Sequence, residues 1–525
     1  MGNDHRQLDA CDERTFIVEG SIYPAVSPRG GQFVDPDEGP AEWLALLLTT
    51  AALVLAYFAV TDWLSRFTSP VGKELVPGPR GLPFVGNLFS MNNNFHFDKC
   101  VTWAKKYGPV FRVEVGATSM VVLSDFERTK KYLNKKEILY RPDTWMFKQT
   151  TFTGVGVMNG QKWQDNRRFC LHGLRDVGFG KTSMQDTIRV KSRRWQWFPV
   201  YRSKEESGYL VENILATKGQ PIDFEEFIYP TVSNNITTLV FGTRYAYDDP
   251  RRHYLDEHMK HFNHLLHKSY IIGYLPPWLQ RIATLFPSMR DGAIKEASEK
   301  LSSFIRERIR EHKETLEPSY NRDFIDFYLK RVIETQDQAD SNFKEIYLIG
   351  NIFSFFTAGS STVALVLVKH MLNLSMKADT LQARLQKEID DVVGRERAPT
   401  WEDRLRMPFT MAVIWEMHRW SPAGSLSAPR AAAEDTYIDD YFVPQGSVVT
   451  SNVWAIHRDP KDWKNPDQFD PSRFLTPDGT QFINKTEILI PFSIAMSRRA
   501  GERGALPAVL ISSGAGALLV GMRRV

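Results

Sequence analysis

Two short stretches of sequence decide the fold, WEMHRWSP at Trp415–Pro422 and FDPSRF at Phe469–Phe474. In the first, Glu416 and Arg419 are three residues apart, so on a helix they share one face and can form an ion pair. The same spacing recurs in ERIR at residues 307–310, and an exposed pair is the default interpretation of it. The spacing alone is therefore weak, and the information lies in the order of the stretches along the chain.

That order is an acid–arginine helix, then Pro429–Arg430, then Arg473 between a proline-containing turn and a phenylalanine. This succession resembles the cytochrome P450 family, the haem-thiolate monooxygenases. The resemblance covers Pro77 to Phe492 and is closest to the animal microsomal branch, in an arthropod-like version. It implies a mainly α fold with a small β part, arranged as the family's triangular body.

The resemblance gives Glu416, Arg419 and Arg473 a common role. It implies that they form a buried charge network under the haem, which serves folding and haem retention rather than bond-making. A planar guanidinium can hold a carboxylate and backbone groups at the same time, and lysine does this less well.

A tryptophan and an arginine four residues apart, Trp163 and Arg167, stand in NGQKWQDNRRF. The same spacing recurs at Trp454 and Arg458, so the spacing alone is weak evidence. What matches the family is the position of Trp163 and Arg167 before the long helices. The resemblance implies that Trp163, Arg167 and Arg430 bind a haem propionate, since guanidinium pairs strongly with carboxylate. Outside that family context, a surface salt bridge is the alternative for each arginine.

The central helical stretch FFTAGSSTVALVL resembles the family's oxygen-activation motif. Ala358, Gly359 and Thr362 match it, while Ser361 stands where an acid is usual. Ala358 and Thr362 are four residues apart and face the same way on a helix. The resemblance implies that all four residues are catalytic. Ala358 leaves room for dioxygen, and Thr362 relays protons. Because Ser361 replaces the usual acid, the proton relay has one ionisable group fewer than in the family. A packing feature within a helix is the alternative.

The expected haem loop reads PFSIAMSRRAGERG and departs from the family at its most important position. Counted from Phe492, Gly501 fits the family pattern as part of the haem-binding loop, but Arg499 falls where the cysteine belongs. Thiolate is the electron-rich ligand of the iron in this family, whereas arginine stays protonated and offers no lone pair. The sequence therefore predicts no metal ligand in this loop, although haem b is the cofactor that the resemblance implies.

Residues 503–525 form an atypical tail, because the family continues with a long helix and a β-hairpin. Ala505–Met522 is uncharged, but its glycines and proline argue against a second membrane span. A frameshift or wrong exon join near Ile494 would account for the loop and the tail together. In that case the chain is an active enzyme with an altered C-terminus. A genuine haem-free, membrane-anchored pseudoenzyme or binding protein would account for them equally well.

An uncharged run, Trp43–Val60, is long enough to cross a bilayer as one helix. A signal peptide and a buried core helix are the alternatives, and the late start without a basic flank disfavours the first. Basic residues follow the run at Arg66, Lys73 and Arg80, which by the positive-inside rule places the body in the cytosol. The resemblance implies the endoplasmic reticulum membrane.

The net charge of +4 with no long Lys/Arg tract does not favour nucleic acid. Three cysteines, Cys11, Cys100 and Cys170, are too few for a disulfide scaffold. The resemblance implies an NADPH-dependent flavoprotein reductase as partner, cytochrome b5 as an optional second partner, and a small lipophilic substrate such as a steroid, fatty acid or xenobiotic.

Helix-type apolar spacing marks Ile346–Leu374 and Leu381–Val393, and strand-like runs occur at Val110–Val115 and Met120–Leu123. Arg189–Ser203 interrupts an amphipathic helix with basic and aromatic residues. It is either a membrane-touching or partner loop or an insertion such as a retained intron. The predicted organisation is a flexible polar N-terminus at 1–42, an anchor at 43–60, a proline-rich hinge at 61–85, a catalytic domain at 86–502 and the tail at 503–525.

Overall fold

The computed structural model divides the chain into two compact units, Met1–Ser65 and Arg66–Val525. The structure describes residues 15–18, 21–24, 39–65, 72–83, 85–90, 97–116, 118–142, 153–176, 199–268, 290–397, 399–485 and 487–491. Phe492, Arg499, Gly501, the tail at 503–525 and residues 189–198 of the predicted insertion lie outside these ranges.

The first unit contains a two-stranded antiparallel hairpin and one long helix. Strands β1 (Thr15–Val18) and β2 (Ser21–Pro24) pair within the segment predicted to be a flexible polar N-terminus. Helix α1 (Gly39–Ser65) contains the uncharged run. Large apolar side chains such as Trp43 and Leu53 are exposed along it.

The second unit is mainly helical. Several of its helices begin at an aspartate that accepts a backbone N–H, as Asp223 and Asp323 do, which is the usual way to satisfy the first turn. The helices are α2 (Phe97–Tyr107), α3 (Phe126–Tyr132), α4 (Gly160–Asp176), α5 (Pro199–Ala216), α6 (Phe224–Phe241), α7 (Pro250–Lys268), α8 (Arg290–Glu314), α9 (Phe324–Glu334), α10 (Glu345–Phe356), α11 (Thr362–Ser375), α12 (Ala383–Val392), α13 (Pro408–Trp420) and α14 (Val453–Ile456).

Two small sheets complete this unit. One has the order β3-β8-β7 and the other the order β4-β5-β9-β6, in which β5 and β9 run parallel. Nearly continuous runs of buried residues cover both faces of β4 and β5, as expected for strands enclosed by other elements. The strands are β3 (Glu74–Leu75), β4 (Val110–Val115), β5 (Thr118–Leu123), β6 (Arg430–Ala431), β7 (Thr436–Ile438), β8 (Tyr441–Val443) and β9 (Val448–Ser451).

The central helical stretch passes between two apolar cores. Ile352 and Phe353 of α10 pack with α8 and α9, whereas Leu367 and Met371 of α11 pack with α12 and α13. Each fully buried side chain of this size contributes roughly 1.5–3 kcal/mol relative to exposure. The join between α10 and α11 is therefore held firmly from both sides.

The prediction of a mainly helical body with a small β part is confirmed. The predicted strands are present, and β5 begins slightly earlier than expected, at Thr118. Within the described ranges, Glu345–Ser375 is the one helix that is long and apolar enough to cross a membrane, and 44% of its apolar window is buried in the body. Trp43–Tyr57 is a shorter apolar helix.

Candidate functional site

The central helix widens into a π-helical segment, Thr357–Ser361, between α10 and α11. A hydroxyl within the segment and one directly after it bond back to the helix: Ser360 Oγ donates to the Phe356 carbonyl at 2.5 Å, and Thr362 Oγ1 donates to the Ala358 carbonyl at 2.6 Å. Such bonds compete with the regular backbone ladder and bend helices. π segments of this kind are frequent at functional sites.

Ala358 of this segment and Thr362 directly after it are both exposed and lie on one face of the helix, as their spacing predicts. Gly359 has a different environment, because a β-carbon there would lie 2.5 Å from Ile236 Cδ1 on α6. The structure therefore brings Ala358 and Thr362 together on an open surface and uses Gly359 for close packing between two helices.

Ser361 is held by two neighbouring helices. Asn263 Nδ2 of α7 donates to Ser361 Oγ at 2.5 Å, and the Tyr229 hydroxyl of α6 shares a hydrogen bond with it at 3.2 Å. Burial raises the pKa of Tyr229, so its hydroxyl stays protonated. Ser361 and Thr362 are adjacent in sequence, but their hydroxyl groups bond to different partners.

Three arginines from separate segments converge at the edge of the four-stranded sheet. The Ala431 N–H donates to the Tyr140 carbonyl at 2.7 Å, which sets Arg141 beside Arg430. Arg141 Nη1 also donates to the Pro429 carbonyl at 2.9 Å. The Asn159 side chain holds the backbone of Arg141 with two bonds, at 2.7 and 3.1 Å, just before α4 carries Arg167.

The charges of these arginines act on one another. Burial lowers the pKa of Arg141 to about 10, and repulsion from Arg430 and Arg167 adds to the effect. Burial and then Arg167 lower the pKa of Arg430. All three side chains are half-buried. Half-buried guanidiniums that repel one another form a site for an anion, and paired carboxylates suit their planar geometry.

Trp163 lies beside this arginine cluster but directs its ring N–H elsewhere. Its Nε1 donates to the Val155 carbonyl at 3.1 Å, and the Arg167 guanidinium lies over its ring at 5.4 Å. This cation–π contact restricts Arg167. Trp163 therefore contacts and positions Arg167, whereas Arg167 and Arg430 are themselves members of the arginine cluster.

Glu416 and Arg419 of α13 form a fully buried, bidentate ion pair. Arg419 Nε and Nη2 donate to the two carboxylate oxygens at 2.7 and 2.8 Å, and both side chains have 0% exposure. The remaining donors of Arg419 reach the backbone carbonyls of His457, Pro466 and Gln468 at 2.8, 2.7 and 3.1 Å. Because every donor direction is used, the charge is well compensated.

Arg473 joins the same acid from a second segment. Its Nε lies 3.5 Å from Glu416 Oε1, and the Asp470 N–H donates to that oxygen at 2.8 Å. Arg473 also donates to the Asn465 carbonyl at 2.7 Å and to that of Lys464. The structure therefore brings Glu416, Arg419 and Arg473 together around one carboxylate.

His457 links this network to the segment that leads into the expected haem loop. The Ile490 N–H donates to His457 Nε2 at 2.9 Å, which requires a neutral imidazole that accepts there. Burial lowers the pKa of His457 to about 3, and the neighbouring Arg419 and Arg458 add to the effect. The imidazole is therefore neutral at any ordinary pH.

The residues of this site fit the carboxylates of a haem but do not provide a ligand for its iron. The arginine cluster suits the two carboxylates, but the sequence has no cysteine after Cys170, and the loop position is Arg499. Cys100 and Cys170 are buried in apolar clusters on α2 and α4, where burial raises the pKa of Cys100 to about 12 and that of Cys170 further. Neither thiol is therefore available as a thiolate ligand.

Sequence reasoning missed Arg141, His457 and Asn263. Arg141 stands in YRPD, and only the tertiary pairing of Tyr140 with Ala431 reveals its place. His457 follows the short helix α14 without any periodic signal. No local pattern indicates that Asn263 contacts Ser361, because the two residues lie far apart in the chain.

Comparisons with known proteins agree with this architecture. A family model described as Cytochrome P450 matches residues 76–494. The chain is 32% identical over 469 residues to Cytochrome P450 2H2 of Gallus gallus, which covers 88% of this chain and 89% of that protein. It is 31% identical over 463 residues to Cytochrome P450 2A4 of Mus musculus, covering 87% and 88%. It is also 31% identical over 465 residues to Cytochrome P450 2F3 of Capra hircus, covering 87% and 89%.

Proposed function

The chain belongs to the cytochrome P450 family, and from this membership we propose that its body is built to insert one oxygen atom of dioxygen into a small lipophilic substrate. Membership supports a monooxygenase function in general and implies a haem iron cofactor. The substrate class, a steroid, fatty acid or xenobiotic, belongs to the proposal. The observation that carries the proposal is the arginine cluster, Arg141, Arg167 and Arg430, whose half-buried guanidiniums suit the carboxylates of haem b.

We assign roles to the central helix from its contacts. Ala358 and Thr362 face the substrate side, because Ala358 is exposed in the π segment and Thr362 is exposed directly after it. Ser361 positions that segment through Asn263 and Tyr229 rather than carrying a charge. Gly359 permits the close approach of α6.

The supporting roles lie on the other elements. Trp163 supports Arg167, and Glu416, Arg419 and Arg473 hold the segment before the loop in place. Phe492 and Gly501 are proposed to belong to the haem-binding loop, on sequence alone.

Arg499 separates this polypeptide from the family's chemistry. A guanidinium cannot ligate iron, so we assign no chemical step to haem in this chain. The absence of a cysteine after Cys170 favours a second candidate function, a haem-free, membrane-anchored binding protein with the same body. A third possibility is that a frameshift or exon join near Ile494 has altered the C-terminus of an active enzyme.

Helix α1 is proposed as the anchor in the endoplasmic reticulum membrane, with the body in the cytosol. Its support is the exposed apolar surface along Trp43–Tyr57 and the basic residues Arg66, Lys73 and Arg80 that follow. Deletion of residues 39–65 should move the chain from the membrane fraction to the soluble fraction. If the truncated chain remains equally membrane-bound, α1 is not the anchor.

An NADPH-dependent flavoprotein reductase is the proposed electron donor, with cytochrome b5 as an optional partner. The mildly basic net charge of +4 is compatible with docking of an acidic redox protein. We propose no nucleic-acid partner.

The absorbance of the reduced, carbon-monoxide-treated protein tests the central proposal. The full chain, purified in detergent with added haem, should give no thiolate-type Soret band, because position 499 offers no sulfur. The variant Arg499→Cys should gain that band, and the matched variant Arg499→Ser, which removes the charge without adding sulfur, should not.

The outcomes separate the candidate functions. A thiolate-type band from the unaltered chain would overturn the assignment of Arg499. Failure of Arg499→Cys to gain the band, with the fold intact by circular dichroism, would favour the haem-free binding protein over the monooxygenase body.

A further inference from the structure

One histidine and two aspartates form a cluster away from the candidate site, where α8 ends and α9 begins. His312 lies in the last turn of α8, and Asp323 and Asp326 lie at the start of α9. One ligand atom from each side chain lies within 4.8 Å of the other two, a spacing that would suit a metal ion. A guanidinium already occupies Asp326, however, because Arg322 Nε and Nη2 donate to its two carboxylate oxygens at 2.6 and 2.8 Å. The cluster therefore has cations of its own, and His312 is the one that can change charge near neutral pH.

Both ring nitrogens of His312 face oxygen atoms that accept hydrogen bonds. Nδ1 lies 2.6 Å from the Arg308 carbonyl oxygen, and Nε2 lies 2.7 Å from Asp323 Oδ2. A neutral imidazole carries one N–H and one lone pair, so it can donate to only one of the two oxygens. The imidazolium donates to both, and the carboxylate of Asp323 supplies the counter-charge. The contacts therefore favour the charged form, although the side chain is only 11% exposed.

Charged groups lie around His312 on three helices and on the connection between α8 and α9. They are Arg308, Glu311 and Lys313 of α8, Glu317 and Arg322 of the connection, Asp323 and Asp326 of α9, and Glu345 of α10. The other cations have acids of their own, in the pairs Arg308–Glu311, Lys313–Glu345 and Arg322–Asp326. Burial opposes a charge on His312, but the hydrogen bond and the charge of Asp323 outweigh burial and raise its pKa. The helix dipoles favour the same arrangement, with a cation at the C-terminus of α8 and an anion at the N-terminus of α9.

Asp323 connects this contact to the rest of the body. Its Oδ1 accepts a backbone N–H of the first turn of α9 at 3.1 Å and so caps the helix. The C-terminus of α6 lies against the same side chain, since a β-carbon on Gly242 would be 2.7 Å from Asp323 Oδ2. One turn further along α9, the Tyr328 hydroxyl donates to Asn166 Oδ1 of α4 at 2.5 Å. A change at the cap of α9 should therefore reach α4 through this bond.

We infer that His312 is a proton-dependent joint between α8 and α9. While it is charged, it holds the capping carboxylate of Asp323, and when it loses its proton, the first turns of α9 loosen. The neutral ring directs a lone pair at one of the two oxygens, and that contact is repulsive. Below pH 6.5, the ordinary pKa of histidine, the imidazolium forms in the folded and unfolded chains alike, and its contribution to stability is complete. As the pH rises through the raised pKa of the folded chain, this contribution is lost.

Hydrogen–deuterium exchange of the full chain in detergent tests the joint at about pH 6 and about pH 9. Protection factors, which are corrected for the intrinsic rate at each pH, should fall about tenfold in the first turns of α9 as the pH is raised, with a smaller fall in α4. In His312→Gln, α9 should have the lower protection at both pH values, because glutamine cannot supply the charge. His312→Lys should keep the higher protection at both, since lysine stays charged at about pH 9.

His258→Gln is the matched control. His258 Nδ1 makes the same kind of bond, to the Tyr254 carbonyl four residues earlier at 2.9 Å, but within the described residues no carboxylate pairs with its other nitrogen. Its substitution should leave the pH dependence of α9 unchanged. Nuclear magnetic resonance of labelled histidine ring nitrogens measures the charge directly. The signal that disappears in His312→Gln should change from imidazolium to imidazole above pH 6.5.

Three results would overturn the inference. Equal protection of α9 at the two pH values in the unaltered chain would show that the proton does not hold the helix. A His312 signal that stays neutral down to about pH 6 would show that the ring is not the cation. Zinc ions alone that raise the protection of α9 in the unaltered chain, but not in His312→Gln, would show that the cluster is a metal site. If His312→Gln does not fold, equal protection of the unaltered chain and His312→Lys at about pH 9 would contradict the joint.

Discussion

Two regions of this molecule use the same side chain in opposite ways. In α13, Arg419 is fully buried, and its guanidinium is surrounded by a carboxylate and three backbone carbonyls. In the arginine cluster, Arg141 and Arg430 are half-buried, and the charged groups that shift their pKa values are other arginines. The first arginine has its counter-charge within the fold, whereas the second group gathers positive charge at one place.

The difference indicates which arginines stabilise the fold and which are held for a ligand. A buried ion pair with every donor satisfied is strongly destabilised when one partner is removed. Like charges held close together oppose folding, and a bound anion relieves their repulsion. Substitutions should therefore change stability in opposite directions in the two regions.

The largest effect is expected for Glu416→Gln. The substitution leaves Arg419 buried beside a neutral amide, and it also removes the charge that attracts Arg473. The free energy of unfolding should fall by about 3–5 kcal/mol, the range observed when one member of a buried pair is lost. Urea unfolding of the detergent-solubilised full chain, followed by circular dichroism, measures this change.

Glu307→Gln provides a control with the same sequence spacing. Glu307 and Arg310 also lie three residues apart on a helix, but their side chains are 45% and 64% exposed. Solvent and salt screen such a pair, so the unfolding midpoint should stay unchanged within error. Equal destabilisation by the two substitutions would contradict the importance of burial.

A smaller, pH-dependent effect is expected at His457. Its pKa in the folded chain is about 3, against an ordinary value of 6.5, because of burial and the adjacent Arg419 and Arg458. Above pH 6.5 the imidazole is neutral in both states, and its contribution to stability is complete. As the pH falls below 6.5, the imidazole of His457 binds a proton in the unfolded chain but not in the folded chain. The free energy of unfolding therefore decreases.

The slope should approach about 1.4 kcal/mol per pH unit for this one proton, which amounts to about 1.6 kcal/mol between pH 6.5 and pH 5. His457→Gln should flatten the curve, since an amide oxygen can still accept the Ile490 N–H. Part of the slope should remain, because burial also lowers the pKa of His418, to about 4. The exposed His253→Gln is the control, and an equal flattening there would exclude His457 as the source.

The sequence predicted the first region better than the second. The order of motifs singled out Glu416 and Arg419, and they do meet in the structure. Yet spacing alone could not distinguish them from Glu307 and Arg310, because burial is decided by the elements packed around α13. The Arg473 contact likewise depends on a turn that returns to the helix from a distant segment.

In the arginine cluster, sequence reasoning selected Arg167 and Arg430 only through the family resemblance. Arg141 has no periodic neighbours, and a single isolated bridge between Tyr140 and Ala431 brings it into place. Such a pairing between remote segments leaves no local signal. The like charges that make the cluster distinctive arise only after the fold has formed.

The smallest effect, and the one with the opposite sign, is expected for Arg430→Gln in the absence of ligand. The substitution relieves the repulsion from Arg141 and Arg167, so the free energy of unfolding should rise by about 0.5 kcal/mol. Added haem should reverse the ranking, because the proposed contacts of its carboxylates with the arginine cluster stabilise the unaltered chain more than the variant, in proportion to the affinity. Parallel urea titrations with and without haem measure both quantities. If Arg430→Gln instead destabilised the apo chain as Glu416→Gln does, the arginine cluster would be a structural network of the same kind, and the contrast between the two regions would disappear.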